Sequence, residues 1–199
     1  GSIQNILKRI GFKSVISNKP EDIDAADLLF LPGVGSFDDG MTNLEQLNLI
    51  PILEKKVLEQ RTPIIGICLG MQLLLGGSEE GTKPGLGWIK GTCRKFDFRD
   101  NPDRLRVPHM GWNLTKPTQT ENSLFDIGFP ELRYYFVHSY YAALEDEADE
   151  LCTTSYGFKF SSGIQRDNII GLQFHPEKSH KFGMALLKNL VNNLVSVKS

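Results

Sequence analysis

Cys68 stands at the apex of Gly66-Ile67-Cys68-Leu69-Gly70, after the apolar run Pro63-Ile64-Ile65 and before Met71-Gln72-Leu73-Leu74-Leu75. A strand, a glycine-flanked turn and a helix in that order form a nucleophile elbow, here with a thiol at the tip. Glycine on both sides lets strand and helix pass closely while the apex residue holds a strained conformation. The new helix directs its N-terminus at the sulfur, which favours thiolate. The competing reading is an inert core cysteine, since free cysteine is among the most buried residue types.

A thiol nucleophile needs a base, and the base needs an orienting group. Of His109, His138, His175 and His180, the third stands out. It ends the apolar run Ile169–Phe174 and is followed by Pro176-Glu177, and proline holds the residue before it extended. Glu177, two residues on, can then approach the imidazole. Alone, His-Pro-Glu reads first as a turn with a surface carboxylate; the elbow cysteine reverses that balance and completes a Cys-His-Glu set. Acyl transfer also needs donors for an oxyanion. Pro32-Gly33-Val34-Gly35 follows a buried run and offers the N–H of Val34 or Gly35, with that of Leu69 next to the nucleophile. A phosphate loop is the alternative there, but neither the GxGxxG continuation nor a Walker lysine is present.

These residues need a frame, and the composition supplies one. The chain has 199 residues, 40% hydrophobic and 23% charged, with a net charge of −2. That predicts one domain over residues 1–199 with a substantial core. No basic run points to nucleic acid, and no apolar stretch approaches the roughly 20 residues that span a bilayer. Cys68, Cys93 and Cys152 are an odd number, widely spaced and without a CxxC pair. No disulfide framework, metal or cofactor is expected, and a reducing cytoplasm is the natural compartment.

Apolar spacing predicts a helix from Ile3 to Ile10, with Gly11 as its C-cap, and a short strand Ser14–Ser17. A buried strand over Asp27–Leu31 and a helix over Leu49–Gln60 follow. Next come a strand over 63–67 and a helix over 71–76. The second half reads as strands at Leu86–Arg94, Tyr134–Ala143, Leu151–Tyr156, Phe158–Gln165 and Ile169–Gln173. An amphipathic helix, Lys181–Leu194, closes the chain. The predicted fold is α/β: a doubly wound, mostly parallel sheet flanked by helices, with extra antiparallel strands in the second half. The chain opens on a helix, so the strand expected ahead of it in such a sheet is missing.

PGVG at 32–35, GICLGMQ at 66–72 and QFHPEKS at 173–179 together resemble the class I, or triad, glutamine amidotransferases. Ser78–Gly81, Val107–Asn113 and Tyr135–Tyr141 narrow the resemblance to the glutaminase subunits of imidazole glycerol phosphate synthase, over almost the whole chain. The family's opening strand and its glycine-rich turn are absent. The resemblance implies that Cys68 attacks the carboxamide of glutamine, that His175 moves the protons and that Glu177 orients His175. It implies that Gly33, Gln72 and Glu80, with the backbone at Ser139 and Tyr140, hold the substrate. It also implies a (β/α)8-barrel cyclase as partner and acceptor of ammonia in histidine biosynthesis. Trp112, Asn113, Tyr135 and Lys178 are then expected on the shared face, because interfaces are rich in aromatic residues. Taken singly, those aromatics read as core. Two rivals stay open: the same glutaminase feeding a sugar-amidating enzyme of surface-polysaccharide synthesis, and a non-catalytic protein with a redox-sensing or binding cysteine.

Overall fold

The computed structural model describes residues 1–99, 105–118 and 123–195. Its helices are α1 (Ser2–Arg9), α2 (Pro20–Asp24), α3 (Phe37–Gln46), α4 (Ile50–Glu54), α5 (Leu69–Leu73) and α6 (His180–Val195). The strands are β1 (Leu29–Gly33), β2 (Ile64–Cys68), β3 (Gly91–Lys95), β4 (His109–Pro117), β5 (Leu132–His138), β6 (Tyr140–Leu144), β7 (Glu150–Tyr156), β8 (Phe158–Arg166) and β9 (Ile169–Leu172). Among the described residues they form one sheet in the order β1-β2-β9-β8-β7-β4-β5, with β6 on β8 and β3 on β6. Pairing is parallel from β1 to β2 and from β2 to β9, and antiparallel beyond. The α/β class is as expected, but the parallel part is confined to three strands.

The sheet curls. Beyond β9 the chain runs on to His175, whose N–H donates to the Tyr135 carbonyl of β5 at 2.8 Å. Strands β9, β8, β7, β4 and β5 therefore close into a ring. Tyr134, Phe136 and His138 alternate along β5 on its buried side, with Phe160 of β8 and Phe174 packed against Phe136. A second core lies between the sheet and α3–α5, around Phe37, Met41, Leu74 and Ile89. Alternation along β2 joins the two, with Ile64 in one core and Ile65 and Ile67 in the other. Each such side chain, fully buried, contributes about 1.5–3 kcal/mol.

Several elements depart from the sequence expectation, each for a physical reason. Ser14–Ser17 forms no strand; no described neighbour pairs with it, and Val15 and Ile16 are exposed. Residues 86–89 are not strand, because their N–H groups turn back to Leu73, Leu74 and Leu75 and satisfy the last carbonyls of α5. Tyr134–Ala143 is two strands, broken at Ser139, where the chain leaves β4 for β3. The helix over Leu49–Gln60 becomes α4 followed by a wider π turn, Lys55–Glu59. The helix after the elbow starts at Leu69, directly after Cys68. Neither α3 nor β4 was expected. Ser36 caps α3 by accepting from the Asp39 N–H, and Asp38 and Asp39 complement its first turn.

Candidate active site

The carboxyl ends of β1, β2 and β9 meet at one edge, where open α/β sheets place their sites. Cys68 ends β2 and caps α5 with φ +53° and ψ −109°, a left-handed conformation that costs a non-glycine residue. Glycine is obligatory on both sides of it. A Cβ on Gly70 would lie 1.7 Å from the Leu31 carbonyl oxygen, and one on Gly66 would lie 2.6 Å from the Gly70 carbonyl oxygen. Gly33 is the register partner of Cys68 across β1 and β2, so the 32–35 turn leaves the sheet beside the thiol. Val34 is 88% exposed and Gly35 has φ +103°. The Leu69 N–H, first in α5, has no carbonyl four residues back within the helix.

His175 is held from both sides of its backbone. Its carbonyl accepts from Ser179 Oγ at 2.6 Å, and the same Oγ accepts from the Tyr135 N–H at 3.0 Å. Nδ1 lies 2.6 Å from Glu177 Oε1, with the two side chains 5% and 7% exposed. A carboxylate only accepts, so Nδ1 carries a hydrogen; Nε2 is buried and without a hydrogen-bond partner. Burial disfavours a charged imidazole, but the Cys68 sulfur and then the Glu177 carboxylate outweigh it and raise the pKa to about 9. A base oriented by a carboxylate and aimed at a strained cysteine suits proton transfer to and from a thiol.

The thiol itself is seated by groups the sequence did not single out. Sγ lies 3.9 Å from the Val137 carbonyl and 3.8 Å from Gln173 Nε2. Gln173 is fully buried. Its Oε1 accepts from Gln72 Nε2 at 3.1 Å, and Gln72 Nε2 also donates to the Tyr140 carbonyl at 3.2 Å. The Ser139 carbonyl accepts from the Phe96 N–H. Glu80 Oε2 accepts from the Phe37 N–H at 2.8 Å, at the start of α3. The signal for Gln173 lay in its being a polar side chain inside the apolar run that leads to His175, all of it buried.

Two further histidines lie inside the ring. His138 Nδ1 is 2.7 Å from the Tyr140 carbonyl, and His109 Nδ1 is 2.9 Å from His138 Nε2. Burial lowers the pKa of His109 to about 4 and that of His138 to about 3. Both are neutral at pH 7, whereas an unfolded histidine titrates near 6.5. Below 6.5 the unfolded chain takes protons that these two refuse, so stability falls with pH. His175, with its pKa raised to about 9, works the other way: it is already protonated when folded while the unfolded imidazole titrates near 6.5, which offsets about 1 kcal/mol of that loss from pH 7 to pH 5. Between pH 7 and pH 5 the pair should remove about 4 kcal/mol. Urea midpoints at the two pH values check this; coincident midpoints would contradict it.

Outside the ring, β4 presents Met110 (61% exposed), Trp112 (47%) and Leu114 (38%). Trp112 stacks on His180 at 5.5 Å and meets Tyr135 edge-on at 6.3 Å, while Lys178 Nζ lies 6.0 Å from the Tyr135 ring. Trp112, Tyr135 and Lys178 thus share one surface ridge bordering the triad. Asn113 does not join them. Its amide nitrogen turns to His109 Nε2 at 3.2 Å and to the Ser155 carbonyl at 2.9 Å.

A cysteine elbow, a histidine–glutamate pair and a curled mixed sheet define a thiol acyl-transfer fold, and comparison gives it a family. The profile of the family described as glutamine amidotransferase class-I matches residues 2–194. The chain belongs to the class I glutamine amidotransferases. A Methanococcus maripaludis protein named imidazole glycerol phosphate synthase subunit HisH 2 is 52% identical over 96% of this chain and 93% of its own length. A Pseudomonas aeruginosa protein of the same name is 50% identical over 96% and 92%. A crystal structure of a glutamine amidotransferase superposes with a TM-score of 0.73 at 16% identity, over 98% of this chain and 93% of that one, which bears on the fold alone. No described helix is long and apolar enough to cross a membrane.

Proposed function

We propose that the chain hydrolyses glutamine and passes the ammonia to a (β/α)8-barrel cyclase that forms imidazole glycerol phosphate in histidine biosynthesis. The observation that carries the reading is the buried 2.6 Å pair of His175 and Glu177 facing the strained Cys68. The names of relatives at 52% and 50% identity support the acceptor. Cys68 sulfur bonds to the carboxamide carbon of glutamine, and the oxyanion takes the N–H of Leu69 with that of Val34 or Gly35. His175 returns the thiol proton to the leaving nitrogen, the C–N bond breaks, and ammonia departs from a γ-glutamyl thioester. Water, deprotonated by His175, cleaves the thioester to glutamate and restores the thiol. Gly33, Gln72, Glu80 and the backbone of Ser139 and Tyr140 take the amino-acid end of the substrate.

Ammonia released into water becomes ammonium, which has no lone pair to attack with, so the acceptor must dock over the site. The ridge of Trp112, Tyr135 and Lys178 beside His175 suits that docking, since aromatic anchors dominate interface energetics. Asn113 supports the ridge from behind. Three free cysteines fit a reducing cytoplasm. Co-purification with the cyclase, and glutamate release with and without the cyclase's ribonucleotide substrate, test the reading. Complex formation with at least about tenfold faster release is expected, a change of about 1.4 kcal/mol in barrier. No complex with the cyclase, or stimulation only by a sugar-amidating enzyme, would overturn it.

A further inference from the structure

The two neutral histidines in the ring are not isolated core residues. The Tyr140 carbonyl only accepts, so His138 Nδ1 must carry a hydrogen and its Nε2 must be bare. That bare nitrogen, 2.9 Å from His109 Nδ1, requires a hydrogen there, which leaves His109 Nε2 bare in turn. Asn113 Nδ2 supplies the donor for it at 3.2 Å. On the far side, the Tyr140 carbonyl takes Gln72 Nε2 as its second donor. The other hydrogen of Gln72 Nε2 goes to Gln173 Oε1, which fixes the Gln173 amide with Nε2 towards Cys68 Sγ. Every tautomer and amide orientation in the row follows from the one before it. It runs from Asn113 on β4 through His109 and His138 to Tyr140, and from there through Gln72 and Gln173 to the sulfur.

Core packing alone gives no reason for such a row. His109 is sandwiched between Phe136 (ring centroids 4.7 Å apart) and Tyr156 (4.1 Å), and His138 packs on Phe96 and Phe160. Phenylalanine at either place would bury as much surface without a polar atom to satisfy. A fully satisfied polar network inside a ring instead fixes geometry. The element it fixes is the Ser139 break between β5 and β6, whose next carbonyl anchors Gln72.

We infer that His109 and His138 are positioning residues for the Cys68 thiol, acting through the Tyr140 carbonyl and the Gln72–Gln173 pair. The inference rests on the glutaminase reading for its kinetic consequence, but its geometry is independent of any substrate. Neither imidazole touches the reacting atoms. Both stay neutral because burial holds their pKa values down, so they act as fixed donors and acceptors at working pH.

Two variants of the full chain test it. His109→Phe keeps the aromatic sandwich and removes both ring nitrogens. His109→Asn places an amide N–H where Nδ1 stood. Two rates are read: alkylation of Cys68 by iodoacetamide, with Cys93 and Cys152 fully buried as internal controls, and glutamine hydrolysis in complex with the cyclase. His109→Phe is expected to keep the wild-type circular dichroism, to slow alkylation about fivefold and to lower kcat about tenfold, with KM for glutamine within about twofold, the scale of one lost hydrogen bond. His109→Asn should recover both rates to within about threefold of wild type. Wild-type rates in His109→Phe, or equal losses in both variants, would overturn the inference. If His109→Phe does not fold, the nitrogen-15 shifts of the wild-type imidazoles decide: both must be Nδ1–H tautomers, and an Nε2–H form at either one contradicts the row. A chain that releases no glutamate with the cyclase fails the proposed function, while alkylation and tautomers still read the row.

Discussion

Cys68→Ala is expected to lower glutamate release by at least about 10⁴-fold, the scale on which enzymes lose rate when a covalent nucleophile is removed. The sulfur is the only group on the end of β2 able to form the acyl bond, and no neighbour can replace it. Val137 offers a carbonyl and Gln173 an amide, neither of them a nucleophile. Alanine retains the Cβ and the strained φ of +53°, so the elbow keeps its backbone cost and its shape. The variant should melt within a few degrees of the wild type and still bind the cyclase. Coupled-assay rates and co-purification check both parts. Activity close to wild type would mean that hydrolysis proceeds without a thioester.

Glu177→Gln is expected to lower kcat by about 10²–10⁴-fold with little change in KM, by analogy with carboxylate loss in other triads. The Glu177 carboxylate bonds Nδ1 at 2.6 Å in a place where its side chain is 7% exposed. Gln has the same length but no charge, so it cannot stabilise the imidazolium that forms when His175 takes the thiol proton. It also brings an amide N–H₂ to the position of Oε2, which is buried without a partner. Of the influences on His175, burial lowers its proton affinity, and Cys68 and Glu177 raise it. Removing the carboxylate therefore moves the His175 limb of the pH–rate profile downwards. Steady-state kinetics across pH check this; an unmoved limb and an intact kcat would remove Glu177 from the mechanism.

Some of this site could be read along the chain and some could not. Cys68, His175 and Glu177 lie in short motifs whose physics is local: a turn that tolerates only glycine, and a proline that holds His175 extended; the chain then does not stay extended but turns at Pro176–Lys178, which carries Glu177 to the imidazole. The strand ahead of the 32–35 turn followed from its apolar run, though the register that sets Gly33 opposite Cys68 needed the structure. The row through His109 and His138 could not be read, because its contacts cross strands 29 residues apart, and single buried histidines look alike in sequence. Gln173 was visible as part of a motif but gained a role only when Gln72 was found across from it. Asn113 is expected with Trp112 on the shared face from the family resemblance, whereas its amide nitrogen turns to His109 and Ser155. The ring closed by His175 and Tyr135, and the turn of residues 86–89 that caps α5, depend on carbonyls far away in sequence. Helix and strand periodicity carry no record of those partners.

Cys68 must react with the carboxamide carbon of glutamine for any of this chemistry to follow. The most direct measurement uses a glutamine analogue bearing an electrophilic carbon in place of the carboxamide, followed by peptide mass mapping of the treated complex. One adduct per chain is expected, on Cys68, formed in step with loss of glutaminase activity and blocked by excess glutamine. Label on Cys93 or Cys152, or full activity in a chain carrying the adduct on Cys68, would contradict it.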